Sequence, residues 1–272
     1  MARFAHWLCF LMVFISGINI LPVAAAQPQS FAKPEIVFWS WYHDDDLRLA
    51  PGKVACLTNR ILVDGNNIRE MPRLNRLQVR PHTERIAVVR IDVRSLPAQN
   101  KQGALVESLV ERILSSTVRG RGVLTGLQID YDATLDQRQF YINLLDCLRK
   151  RMPRGLPLSI TTLASWCMAD QWLSQAHLDG KVDFFVPMLF TMGGGRQSAL
   201  RYLKAHGLKA PAGPLCVGFS LDDPEPLQVM IKGGKFSQVA CVYIFCSKPW
   251  TQNRVTSALN ILAEGKNRDS GH

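Results

Sequence analysis

The run GLQIDYDA, residues 126–133, sets two carboxylates, Asp130 and Asp132, one residue apart in an otherwise apolar stretch. Taking a carboxylate out of water costs several kcal/mol unless a partner recovers it. A pair of this kind suits general acid–base chemistry, in which burial and a negative neighbour raise one pKa towards the working pH. Side chains alternate along a strand, so Gln128, Asp130 and Asp132 share one face while Ile129 and Tyr131 share the other. The structural alternative for Asp130 is an arginine partner from a neighbouring strand. Arg90, Asp92 and Arg94 alternate onto one face of the preceding strand and can supply it. Asp132, nearer the strand's end, is the stronger functional candidate.

Other residues invite chemistry with less force. Trp39 and Trp41 share a face at the end of the first strand, and Trp166 ends the fifth. At a cleft mouth such rings stack on the apolar faces of sugars, and elsewhere they are large core residues. The platform reading is stronger for Trp41 and Trp166 than for Trp39. His43-Asp44-Asp45-Asp46 reads as a solvent-facing, helix-capping run in preference to a metal loop. Asp222-Asp223-Pro224-Glu225 reads as a turn and helix start with proline at the first position. Gly193-Gly194-Gly195 lacks the Lys-Ser/Thr of a phosphate loop and reads as a flexible loop.

These residues need elements to hold them. β-branched and aromatic runs predict strands at 35–42, 53–63, 85–93, 124–131, 157–166, 182–190, 215–220 and 239–246. Apolar residues at helical spacing predict helices at 103–118, 137–152, 198–206, 225–232 and 252–264, with Asp170 capping a short one. Phe140, Leu144, Leu145 and Leu148 mark the buried face of the second of these. Eight alternating units predict an α/β fold, a (β/α)8 TIM-barrel-like domain. Asp64-Gly65 is a turn signal, so a hairpin replaces the helix between strands 2 and 3. Asp130 and Asp132 then climb towards the C-terminal end of the fourth strand, where barrel active sites are built.

Composition narrows the setting. Arg3, the apolar run 8–21 and Ala24-Ala25-Ala26 follow the order of a secretory signal peptide, cleaved after Ala26. Residues 27–272 then form one exported domain, periplasmic or secreted, with no membrane span left after cleavage. Six cysteines remain; Cys56, Cys147, Cys216, Cys241 and Cys246 lie in apolar runs and read as buried free thiols. No CxxC or Cys/His cluster points to zinc, and no cofactor or metal is expected. The net charge of +10 comes from scattered basic residues, such as Arg73, Arg76, Arg80 and Arg85, most of them in loops or at helix ends. With no recognition motif, nucleic acid is not an expected partner. A basic exterior suits anionic glycans or a negatively charged envelope.

GLQIDYD resembles the strand-four signature of family-18 glycoside hydrolases, the chitinase-like barrels: Gly-hydrophobic-Asp-hydrophobic-Asp-aromatic-Glu. Gln128 stands at the first carboxylate position, Asp130 matches the middle one, and Asp132 replaces the terminal glutamate. The resemblance implies that Asp132 protonates the leaving oxygen while Asp130 orients the attacking acetamido group of the substrate. Met188 falls where such barrels carry Met-x-Tyr-Asp on strand six; here the run is Met188-Leu-Phe190-Thr, without the aromatic–acid pair. The longer pattern GLQIDYDA…FYINLLDCLRKRMP…LSITTLASWC…VDFFVPMLFTMG resembles more closely a bacterial family, domain of unknown function 3142, which implies a chitinase-like barrel without an established reaction. Two readings follow. One is a glycoside hydrolase-like enzyme acting on a polysaccharide or oligosaccharide through Asp132 and Asp130, with Gln128, Trp41, Trp166, Arg90, Asp92, Met188 and Phe190 binding substrate. The other is a saccharide-binding barrel that has lost the acid.

Overall fold

Strands that are apolar on both faces need cover on both, and this chain provides it by closing a sheet on itself. The computed structural model describes residues 34–118, 122–168, 170, 172–190, 192–208 and 213–269. The segment read as a signal peptide lies outside them. The elements run β1 (Glu35–Ser40), β2 (Asp45–Asp46), β3 (Lys53–Asp64), β4 (Asn67–Pro72), β5 (Leu77–Gln78), β6 (Glu84–Ser95), α1 (Gln99–Thr117) and β7 (Val123–Asp130). There follow α2 (Arg138–Arg151), β8 (Leu158–Leu163), α3 (Ala164–Met168), α4 (Trp172–Gln175), β9 (Phe184–Met188) and α5 (Arg196–His206). β10 (Leu215–Ser220), α6 (Glu225–Lys232), β11 (Val239–Phe245) and α7 (Gln252–Asp269) complete the chain.

The strand order is β1-β11-β10-β9-β8-β7-β6-β3, and β3 pairs back onto β1, so eight strands form a closed barrel. Every pairing around the ring is parallel. This is the expected (β/α)8 architecture. The expected hairpin is present too: β4 runs antiparallel to β3, with Asp64 opposite Asn67 across a two-residue turn at Gly65 (φ 58°). It stands where a helix belongs and is tied to α1 by Arg112, whose Nη1 donates to Glu70 Oε1 at 2.6 Å.

Alternation sorts the barrel residues. Val37, Trp39, Ala55, Leu57, Val88, Val186 and Tyr243 fill the interior. Outward residues such as Ile129, Tyr131 and Ile160 meet α1 and α2, which bury Leu109, Val110, Leu144 and Leu148. A second outer layer joins Phe38, Val217 and Val242 to α5, α6 and α7. Trp39 crosses the interior so closely that a Cβ on Gly218 would sit 2.5 Å from its ring. β10 therefore has glycine where it faces the tryptophan.

Two expectations are corrected. Cys216 and Cys241 are not free thiols; they form a disulfide, with Cα atoms 4.6 Å apart. They are register partners on β10 and β11, a pairing visible only once the strands are aligned. Asp45 is not a solvent-facing cap but a buried acceptor. Ser40 Oγ donates to it at 2.5 Å, the Trp250 backbone N–H at 2.8 Å and Arg73 Nη2 at 3.3 Å, which ties β1 to two loops. Arg85 opens the third predicted strand as expected and lies buried in β6, where Nη2 donates to the Thr117 carbonyl at 2.9 Å. The acidic turn after β10 opens α6 as expected, with Pro224 at the capping position and Pro226 inside the first turn.

Candidate functional site

The C-terminal ends of the barrel strands gather the charged residues. Arg90 on β6 is register partner of Asp130, the last residue of β7. Its Nη1 donates to Asp130 Oδ2 at 2.6 Å, its Nε to Asp92 Oδ1 at 3.1 Å, and its Nη2 stands 3.8 Å from Asp132 Oδ2. Arg60 on β3 holds the other Asp92 oxygen at 2.5 Å. Thr161 on β8 donates to Asp130 Oδ1 at 2.6 Å. Both oxygens of Asp130 are therefore engaged, and the residue is only 1% exposed.

Asp132 differs. Its side chain is 40% exposed and borders a cavity of about 680 Å³ at the mouth, beside β8, β9 and the start of α5. Leu163, Met168, Met188, Phe190, Met192 and Tyr202 are the large side chains of its wall besides Arg90. Burial raises the Asp132 carboxyl above the ordinary value; Arg90 opposes the rise and Asp92 adds to it. Burial likewise pushes Asp130 up to about 6, against the pull of Arg90 and the Thr161 hydroxyl. Arg90 is itself held in its charged form by the three carboxylates around it, which outweigh its own desolvation.

Arg90, Asp132, Met188 and Phe190 thus come together around one cavity. The other candidates take different places. Asp130 lies beneath the cavity floor and anchors Arg90. Gln128 is fully buried a layer lower, where its Oε1 accepts from Trp39 Nε1 at 2.7 Å and its Nε2 donates to Ser159 Oγ at 3.3 Å. Asp92 links the two arginines without reaching the lining. Trp41 stands beside it, with the Arg90 guanidinium 6.0 Å from its ring and Phe245 edge-on at 6.2 Å. Arg73 fixes this segment by donating to the Trp41 and His43 carbonyls, each at 2.6 Å.

Trp166 is a correction. The fifth barrel strand stops at Leu163, and Trp166 falls on α3, 4% exposed and packed edge-on against Trp172 at 4.6 Å. It faces the outer core, with Arg138 stacked nearby, and offers no ring to a ligand. Asp170 meanwhile accepts from the Trp172 backbone N–H at 2.9 Å, the expected cap of α4. Gly193–Gly195 is a further correction: the three glycines form a 3₁₀ turn that leads directly into α5, and two of them border the cavity.

Several lining residues escaped the sequence reading. Met168 and Met192 carried no motif. Ser198, Ala199 and Tyr202 of α5 line the cavity too, beside the face that buries Leu200 and Leu203. Among the described residues no group of three or more His, Cys, Asp or Glu side chains is placed to hold a metal ion. No described helix is long and apolar enough to cross a membrane.

Residues 79–184 match the model of a family described as Domain of unknown function (DUF3142). The matched stretch holds Arg90, Asp130, Asp132 and Thr161, so the resemblance read from the motif is shown across the charged half of the site. No curated protein matches the chain. Among solved structures the chain is similar to the spore cortex-lytic enzyme SleL of Bacillus cereus, with 11% identity over 85% of this chain and 74% of that one, TM-score 0.47. An endo-beta-N-acetylglucosaminidase from Cordyceps militaris follows at 10% identity over 84% and 90%, TM-score 0.43. Beta-methylaspartase from Clostridium tetanomorphum shares 16% over 71% of this chain and 44% of its own, TM-score 0.39. Identities of this size transfer no residue roles.

Proposed function

We propose that this is an exported, carbohydrate-active barrel that takes a saccharide at its C-terminal mouth and uses Asp132 as general acid. One observation carries the reading. Asp132 alone of the fourth-strand carboxylates opens into the cavity, while Asp130 below it holds Arg90 against its flank. A raised pKa keeps the Asp132 proton available at higher pH for donation to a glycosidic oxygen. Among the described residues no second carboxylate borders the cavity, which fits an attack supplied by the substrate itself. Export is supported by the signal-like order of residues 1–26 and by the Cys216–Cys241 disulfide, a bond favoured in oxidising compartments.

A second reading, saccharide binding without cleavage, is favoured by the commitment of Asp130 to Arg90 and Thr161. An aspartate is also one methylene shorter than the glutamate it replaces. The mature protein, incubated with bacterial and fungal polysaccharides, distinguishes the two. Reducing ends released by wild type and lost in Asp132→Asn, with binding retained, support the acid. Binding without release supports the second reading, and absence of both removes the saccharide from the account.

A further inference from the structure

The cavity beside Asp132 is mostly apolar. Among the described residues its charged lining groups are Arg90 and Asp132. Behind Arg90 the polar bank continues through Asp92 to Arg60. The rest of the lining is dominated by Leu163, Met168, Met188, Phe190, Met192 and the ring of Tyr202, with Ser165 and Ser198 the small hydroxyls among them. Leu163, the last residue of β8, is left 38% exposed at this mouth, and Phe190 lies flat against Phe245 at 5.2 Å and 11°. A sugar ring pushed wholly into such a lining would leave most of its hydroxyls without partners, at a cost for each. Methionine thioethers adapt to irregular apolar shapes, and three of them surround this space.

Resting on the saccharide reading above, we propose that the substrate is an amphiphile: a saccharide bearing an alkyl or acyl chain. The chain occupies the methionine-lined space. The sugar lies over the bank formed by Asp132, Arg90, Asp92 and Arg60, with Trp41 beside it. The junction between chain and sugar then falls next to Asp132, the carboxyl placed to protonate a leaving oxygen. The cavity's size agrees: about 680 Å³ holds more than one sugar ring's worth of ligand and is in the range of sites that enclose a small molecule.

The test is calorimetric titration of the mature protein with methyl, butyl, hexyl and octyl β-glucosides below their micelle concentrations. Affinity should rise about fourfold per added methylene, equivalent to ~0.8 kcal/mol for each CH₂ buried. The rise should vanish in Ala199→Trp, which fills the cavity. Met192→Gln should flatten it, and provides the same readout should the larger side chain unsettle α5. Equal affinity for methyl and octyl glucosides overturns the proposal. So does octanoate or an octyl sulfobetaine binding as tightly as octyl glucoside, because the saccharide end would then go unread. No bond cleavage enters these titrations. Failure of the general-acid reading, seen as cleavage unaffected by Asp132→Asn, is therefore distinct from failure of the amphiphile.

Discussion

Arg90→Met is the most informative single change, because it strips a buried carboxylate of its cation while keeping the volume of an unbranched side chain. Asp130 is sealed from solvent and keeps only Thr161 as donor once Arg90 is gone. Leaving one member of a buried pair uncompensated costs ~3–5 kcal/mol. The low end applies, since the Arg90 side chain is 29% exposed and the Thr161 hydrogen bond survives. With a urea slope of about 3 kcal/mol/M, a loss of ~3 kcal/mol moves the denaturation midpoint down by ~1 M.

The loss should depend on pH, and its sign follows from linkage. Burial places the folded pKa of Asp130 at about 6, above the ~3.9 of an unfolded chain. Between those values the folded state holds a proton that the unfolded state has released. Wild-type stability from this group therefore falls as pH rises through that window and levels off above it. In Arg90→Met burial acts without its main opponent, so the folded pKa climbs further and the decline extends towards neutral pH. Urea midpoints for the variant and wild type should nearly converge at about pH 5 and separate fully at about pH 8. Adding Asp130→Asn removes the stranded charge and should restore most of the midpoint at the higher pH. An equal loss at both pH values, or no rescue by Asp130→Asn, refutes the reasoning.

Gly218→Ala sets a methyl 2.5 Å from the Trp39 ring, and thermal unfolding should report a loss of ~1–3 kcal/mol from overpacking. Trp166→Ala should cost ~3–5 kcal/mol as a core truncation while leaving alkyl-glucoside affinity in the folded fraction unchanged; a selective loss of binding would restore the ring to the site. Reduction of Cys216–Cys241, or Cys216→Ser, opens a link across a sequence separation of 25 and should lower stability by about 3 kcal/mol, read as a midpoint shift with and without reductant. If Asp132 is the acid, cleavage should decline with rising pH through a pKa above the ordinary aspartate value, as its burial dictates. A pH profile without that limb rules out the role.

The barrel was legible because its signal is local and repeated. Apolar runs at β1, β3, β6, β7, β8, β9, β10 and β11 are the pattern of strands covered on both faces, and Asp64-Gly65 announces its own hairpin. What the chain did not disclose was registration between strands. The Cys216–Cys241 bridge, the choice of Arg90 over Arg94 as the expected arginine partner of Asp130, and the buried Asp45 all depend on which residues stand level across neighbouring segments. Trp166 was misplaced for a related reason. An apolar run continuing past Leu163 looks like more strand, whereas Ala164-Ser165-Trp166 turns outward as a short helix and buries the ring beside Trp172.

Height within the barrel explains the division of labour between the two aspartates. Alternation puts Asp130 and Asp132 on one face, but two residues of strand rise are ~7 Å. That is enough to carry one side chain out of the packed layer and leave the other inside it. Asp130 sits level with Arg90 and Thr161 and is consumed by them. Asp132, past the end of β7, meets no ionic partner closer than Arg90 at 3.8 Å among the described residues, and it borders the cavity. The lower acid fixes the arginine, the arginine limits how far burial can raise the upper acid, and the upper acid alone can reach a ligand. A site built this way should tolerate Asp130→Asn better than Asp130→Ala, because the amide oxygen still accepts from Arg90 while the Thr161 hydroxyl can turn to accept from the amide NH₂. Asp132→Asn should remove acid chemistry without disturbing either hydrogen bond.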